Sequence, residues 1–176
     1  MTNSPSVDQH RAEAPATLTL AVLTVSDTRA EADDRSGALI VELAEAAGHR
    51  VAARAIVPDE PEPLREFLGT HAGRCPGAPA VDAVLVTGGT GVSPRDRTYE
   101  AVSALLTKTI PGFGELFRML SYQEIGPACI LSRAVGGLLD STVVLVMPGS
   151  RAAVELAMTR IVLPELPHLV REARKK

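Results

Sequence analysis

Residues 83–101 read AVLVTGGTGVSPRDRTYEA, and the fold follows from how this stretch is organised. Ala83 to Val86 is a short apolar, β-branched run of the kind found in strands buried on both faces. It enters a turn with glycines at 88, 89 and 91 and threonines at 87 and 90, and a helical pattern runs from Tyr99 to Leu106. Strand, glycine turn and helix make one βα unit.

The same order recurs on either side. Leu18 to Val25 (LTLAVLTV) predicts a strand, followed by the polar SDTRAEADDRSG. In ALIVELAEAAGH, Leu39, Leu43, Ala46 and Ala47 then fall on one helical face. Asp34 is placed to cap that helix and Gly48 to end it. Val51 to Val57 predicts a strand ending at Pro58-Asp59-Glu60, and PEPLREFLGTHA a helix with Pro in its first turn. HAGRCPGAPA (71–80) reads as a Gly/Pro-rich surface loop. PGFGELFRMLSYQEIG has an amphipathic second part. LSRAVGGLLDSTVVLVMPG predicts two strands around a Gly-Gly and Asp-Ser turn, and a last helix begins at Ser150. The implied fold is a three-layer αβα sandwich: a mostly parallel central sheet with a short antiparallel hairpin near residues 129–147. Residues 18–170 form its single domain, between a disordered N-terminal tail (1–17) and a basic, solvated C-terminal tail (171–176).

Composition narrows the function. A chain of 176 residues with no Trp, two Tyr and three Phe must build an aliphatic core. It lacks the stacking rings that single-stranded nucleic acids require. A net charge of -3 supplies no basic footprint, so an anionic ligand must be held locally. Cys75 and Cys129 stand far apart with no CxxC spacing, which argues against a zinc site or a disulfide framework. No apolar run has the length of a membrane span, and MTNSPSVDQHRAEAPAT lacks the apolar centre of a signal peptide. The expected location is the cytoplasm.

In parallel sheets, ligands bind outside the carboxyl ends of the strands. Ser26-Asp27, Pro58-Asp59, Thr87 to Asp96 and Pro148-Gly149-Ser150 should therefore gather at one edge. Glycines at 88, 89 and 91 let the backbone turn its N–H groups inward as a nest for phosphate oxygens, with Thr87 and Thr90 adding hydroxyls. No Gly-Lys-Ser/Thr follows, and Pro94 stands where a dinucleotide fingerprint needs its third glycine. The plain alternative is a tight strand-to-helix turn. Asp96 also has two readings. Ser93-Pro94-Arg95-Asp96 matches a capping box that would start the helix at Ser93. A helix starting at Thr98 instead leaves Asp96 beside the nest, where a carboxylate tolerates phosphates through Mg²⁺. Asp59 can serve a helix dipole, Asp27 a turn, and Arg118 and Arg133 surface ion pairs. The histidines at 10, 49, 71 and 168 show no ligand spacing, and no nucleophile elbow exists.

Val25-Ser26-Asp27, Asp34-x-Ser36-Gly37, Pro58-Asp59-Glu60, Thr87-Gly-Gly-Thr-Gly91, Arg95-Asp96, Pro111-Gly-Phe-Gly-Glu115, Leu131-Ser-Arg-Ala134 and Met147-Pro-Gly149 occur in that order. Together they resemble the MoaB/MogA family of molybdenum cofactor biosynthesis, from about Thr19 to His168. The resemblance implies Mg²⁺-dependent transfer of AMP from ATP to molybdopterin, with release of pyrophosphate. Asp59 and Asp96 match the family's catalytic and metal-binding acids. Ser26, Asp27, Thr87, Gly88, Gly89, Thr90, Gly91, Pro148 and Gly149 match its phosphate and nucleotide site, and Glu115, Ser132 and Arg133 its pterin pocket. It further implies a homotrimer or hexamer, with PGFGELFRML as an interface element, and a separate molybdenum-insertion enzyme as the product's consumer. Glu31-x-Asp33-Asp34 and Phe117-Arg-Met-Leu-Ser121 lean toward the MoaB branch, so the alternative is a non-catalytic molybdopterin-binding paralogue. With the resemblance, Asp96 reads as a metal ligand and Thr98 as the helix cap.

Overall fold

The computed structural model describes residues 13–73 and 80–175. In chain order its elements are β1 (Thr19–Val25), α1 (Arg35–Ala46), β2 (Arg50–Val57), α2 (Pro61–His71), β3 (Ala83–Thr87) and α3 (Thr98–Ser103). They continue with β4 (Lys108–Thr109), α4 (Pro111–Ile125), β5 (Val135–Leu139), β6 (Thr142–Met147), α5 (Arg151–Ala157) and α6 (Leu163–Ala173). The six strands form one sheet in the order β2-β1-β3-β6-β5-β4. The first four are parallel, and β5 and β4 extend them in antiparallel fashion. This is the predicted three-layer architecture, hairpin included.

The central strands are apolar throughout because both faces are covered. Side chains alternate between faces with period two. Leu20 and Val22 of β1 therefore join Leu85 and Leu145 in a core beneath α1, α4, α5 and α6. Ala21, Leu23 and Val25 join Val84, Val86 and Val144 in a second core with Leu64 and Leu68 of α2 and Val102 of α3. Helix α1 is capped as expected, Asp34 Oδ1 accepting from the Gly37 N–H at 2.9 Å. Asp34 is buried, and its Oδ2 also receives Thr24 Oγ1 at 2.8 Å and Arg54 Nη2 at 2.9 Å. Burial works against its charge, but the Arg54, Gly37 and Thr24 bonds outweigh it and hold the carboxyl below its ordinary range. Gly48, at φ +85°, ends the helix.

Several boundaries differ from the sequence reading. Gly136 and Gly137 lie inside β5, so of the predicted Gly-Gly and Asp-Ser turn only Asp140 (φ 57°) and Ser141 make the hairpin bend. A Cβ at Gly136 would stand 2.8 Å from Leu145 Cδ2 and 3.0 Å from Phe113 Cβ, so glycine there admits helix α4 onto the sheet. Helix α3 stops at Ser103, short of Leu106. The last helix is interrupted by a π turn at Met158–Val162. Pro164 lacks an N–H and its ring crowds the carbonyl four residues back, which the wider turn relieves. Helix α6 then runs into the segment expected to be a solvated tail, and Arg174 Nη2 meets Asp82 Oδ1 at 2.5 Å. Residues 1–12 of the predicted N-terminal tail and 74–79 of the Gly/Pro loop lie outside the described residues.

The strand order fixes where a ligand can enter. From β1 the chain crosses to β2 on one side, then returns over β1 to β3 on the other. The carboxyl ends of β1 and β3 thus splay their following loops apart, leaving a crevice at the switch point.

Candidate functional site

The crevice is closed on its floor by glycine. Gly88 (φ +103°) donates its N–H to Met147 O at 3.1 Å, and a Cβ there would overlap the carbonyl of Val25. Gly149 lies against it, a Cβ at 149 meeting Gly88 Cα at 3.2 Å. Thr87 Oγ1 donates to Pro148 O at 3.0 Å, so this hydroxyl joins the β3 and β6 ends. Among the described residues, the N–H groups of Gly89, Thr90 and Gly91 donate to no protein acceptor. They border a cavity of about 330 Å³, together with Ser26, Arg29, Asp96, Ser132 and Gly149. Three consecutive unspent N–H groups beside a guanidinium are the donor set that an anion requires.

Ser26 Oγ accepts from the Thr28 and Arg29 N–H groups at 3.3 and 3.2 Å, shaping the loop after β1. That loop delivers Arg29, whose Nη1 donates to Ser36 Oγ at 3.2 Å and Nη2 to Gly149 O at 3.0 Å. Asp27, expected among the phosphate-binding residues, does not line this cavity. Its Oδ2 pairs with Arg95 Nη2 at 2.6 Å and its Oδ1 accepts the Asp59 N–H at 3.1 Å. Arg95 first, then that N–H, hold its carboxyl below the ordinary range.

Asp59 is buried at the end of β2, 7% exposed. Its Oδ1 accepts from the Arg97 N–H at 3.1 Å and Thr98 Oγ1 at 3.5 Å. Burial raises its carboxyl above the ordinary value; the Arg97 N–H offsets part of this, and the charges of Asp96 and Asp27 add to it. Helix α3 starts at Thr98 as expected, yet Thr98 is not its cap. Arg97 occupies the capping position, and the helix start is held from outside by Asp59 and by Gly89 O, which accepts the Thr98 N–H at 3.1 Å. Asp96 combines both sequence readings: it stands free of the helix, but its Oδ2 accepts the Ser93 N–H at 2.8 Å. Gly91 leaves it room, since a Cβ there would be 2.7 Å from Asp96 Oδ2.

A second cavity of about 580 Å³ opens toward β5, lined by Tyr99, Ser103, Glu115, Arg118, Ser132 and Arg133 among others. Its size suits a small-molecule heterocycle. Ser132 lines both cavities, so the two are neighbours. Ser103 Oγ is buried with no partner, a polar group without protein satisfaction at the cavity wall.

A family model described as a probable molybdopterin binding domain matches residues 21–168. Molybdenum cofactor biosynthesis protein B of Halalkalibacterium halodurans is 54% identical over 171 residues, covering 97% of this chain and 98% of its own. The chain belongs to the MoaB/MogA family of molybdenum cofactor biosynthesis proteins. The protein of that name from Bacillus subtilis is 50% identical, with 97% of this chain and 98% of its own covered. A solved molybdenum cofactor biosynthesis protein B superposes with a TM-score of 0.85 at 48% identity, covering 93% of this chain and all of its own. The tungsten cofactor synthesizing protein MoaB from Pyrococcus furiosus does so at 0.81 and 35% identity, with 92% and 100% covered.

This MoaB/MogA-family chain gathers the predicted segments as the strand-end rule expects, with Asp27 and Thr87 in bracing positions. Sequence reasoning missed Arg29, Tyr99 and Ser103. Arg29 carried a signal, being a cation two residues past the Ser-Asp of the first strand end; the other two are visible only once α3 and β5 line one cavity. Among the described residues, no group of three His, Cys, Asp or Glu side chains converges on one point. Mg²⁺ nevertheless fits the donor chemistry, because it is bound by one or two carboxylates plus substrate phosphates and water. Asp59 Oδ2 and Asp96 Oδ1 each accept no hydrogen bond among the described residues.

Proposed function

We propose that the chain transfers AMP from ATP to the phosphate of molybdopterin, in a Mg²⁺-dependent reaction that yields adenylyl-molybdopterin and pyrophosphate. The observation carrying this reading is the pairing of two neighbouring cavities with Ser132 in the wall of both: one at the unspent N–H groups of residues 89–91, the other a larger recess sized for a heterocycle. A molybdopterin phosphate oxygen attacks the α-phosphorus of ATP, and the bond to the bridging oxygen of the departing pyrophosphate breaks. The attacking group is already ionised, so no general base is needed, in keeping with cavities in which, among the described residues, no His stands beside Ser26 or Ser132. The N–H groups of Gly89, Thr90 and Gly91 and the Arg29 guanidinium receive phosphate oxygens, lowering the repulsion between two anions. Asp59 and Asp96 would hold Mg²⁺, which when bound neutralises further phosphate charge. Glu115 and Ser132 would orient the pterin.

The names of the relatives support a biosynthetic role, and a neighbour described as synthesizing tungsten cofactor supports chemistry over storage. The second reading, a molybdopterin-binding protein without chemistry, draws on Asp59 Oδ1 and Asp96 Oδ2 being engaged in local bonds. The deciding assay follows AMP transfer from labelled ATP to molybdopterin with Mg²⁺. The expected result is turnover by the wild type and its loss in Asp96→Asn with pterin binding retained. Pterin binding with no transfer by the wild type establishes the second reading.

A homo-oligomer, trimer or hexamer, is part of the proposal, as is a cytoplasmic setting with the metal-insertion enzyme downstream. Helix α4 and the turn after it expose Leu116, Met119, Tyr122, Ile125, Ile130 and Leu131, apolar side chains suited to burial against another copy. No helix among the described residues is long and apolar enough to cross a membrane.

A further inference from the structure

Arg133 comes from the segment between α4 and β5, on the antiparallel side of the sheet, yet its guanidinium is spent on the glycine-rich loop. Nε donates to Thr90 O at 3.2 Å and Nη2 to Asp96 O at 3.0 Å. These carbonyls flank residues 91–95, so one rigid fork spans both ends of the loop that carries the nest and Asp96. Nη1 pairs with Glu100, and the guanidinium carbon lies 5.1 Å from the centre of the Tyr99 ring. The side chain is held on all sides, with 25% of its surface exposed.

The consequence follows from peptide geometry. In a trans peptide the carbonyl and the following N–H point in opposite directions, and no cis bond occurs here. Holding Thr90 O therefore aims the Gly91 N–H away from Arg133, and that N–H has no acceptor among the described residues. Holding Asp96 O aims the Arg97 N–H the opposite way, where it donates to Asp59 Oδ1 at 3.1 Å. One side chain thus fixes two peptide planes, one belonging to the anion nest and the other orienting the buried carboxylate of Asp59.

We propose that Arg133 is a positioning residue, which sets the Gly91 N–H and the Asp59 carboxylate by clamping the Thr90 and Asp96 carbonyls from the β5 side. It acts through the loop, and its contact with the larger cavity is secondary. Because the fork is planar and lysine offers only a point charge, Arg133→Lys keeps the charge opposite Glu100 but cannot bridge the two carbonyls.

The kinetic part of the test rests on the nucleotidyl-transfer reading; the physical part does not. In Arg133→Lys, amide exchange at Arg97 should accelerate, and affinity for inorganic pyrophosphate with Mg²⁺ should fall about 10- to 100-fold, as for other groups that orient ligands from behind. Where wild type transfers AMP, kcat should fall by a similar factor while KM for molybdopterin stays within about twofold. If wild type proves inactive, exchange and pyrophosphate binding decide alone. Unchanged exchange and unchanged pyrophosphate affinity in a folded Arg133→Lys overturn the proposal. A rise in KM for molybdopterin with kcat intact also overturns it, making Arg133 a substrate ligand. Should Arg133→Lys fail to fold, the same measurements on Arg133→Gln decide by the same criteria.

Discussion

Gly89→Ala is the substitution whose cost can be worked most fully from the geometry. Gly89 sits at φ +63°, where an L side chain costs about 1–2 kcal/mol. An added Cβ would overlap Thr98 Oγ1 and lie 2.6 Å from Asp59 Oδ2 and 2.9 Å from Thr98 Cβ. Thr98 is fully buried and Asp59 nearly so, so relief requires moving the start of α3, an overpacking cost of about 1–3 kcal/mol. Reduced freedom of the unfolded chain returns only about 0.4–1 kcal/mol. A net loss of about 2–4 kcal/mol remains. For a chain of this length, that lowers the thermal midpoint by roughly 5–15 °C. The assay is paired calorimetric and urea unfolding of wild type and variant without ligand, followed by pyrophosphate titration. The variant should also bind pyrophosphate more weakly, because the Thr90 and Gly91 N–H groups turn with residue 89. A variant melting within about 2 °C of wild type would refute the argument, showing that the loop gives way without moving α3.

The charge on Asp59 should be a burden on the free protein and an asset to the reaction. Its folded carboxyl value is raised, so its stabilising contribution is full below the unfolded value and lost as pH rises through the folded one. Asp59→Asn should therefore melt at or above the wild-type temperature at neutral pH while transfer falls about 100-fold or more; a clear drop in melting temperature contradicts this. Asp34 has the opposite sign, with a lowered folded value whose contribution is present above the unfolded value and lost as pH falls through the folded one. Asp34→Asn should cost about 1–3 kcal/mol near pH 7 by denaturant unfolding, with the difference closing in acid. Met119→Glu places a charge on the apolar surface of α4 and should reduce the sedimenting mass to a monomer; an unchanged mass would move the interface elsewhere.

Most of the fold was legible because its signals are local. The buried strands announce themselves as apolar runs, and Asp34 and Gly48 bracket α1 within a few residues of sequence. The Gly136-Gly137 pair was misread as a turn because its reasons lie with Phe113 and Leu145 around Gly136 and with Leu106 and Lys108 around Gly137, which a linear reading does not bring near. The site was legible at the level of strand ends and no further. That Asp59 holds the start of a helix 38 residues later, and that Asp27 is occupied by Arg95, are consequences of sheet order. The Ser93–Asp96 contact was anticipated by spacing, but only the coordinates show that it coexists with a helix beginning at Thr98.

The aliphatic core has one more consequence, a spectroscopic one. With no Trp in the chain, ultraviolet emission comes from two tyrosines alone. Tyr99 lies under the Arg133 guanidinium beside the loop, and Tyr122 stands 58% exposed on the apolar surface of α4. The protein therefore carries two unlabelled reporters, one beside the crevice and one on the exposed face of α4, placed to read the proposed ligand binding and assembly. Replacing either with Phe assigns each signal to its own event.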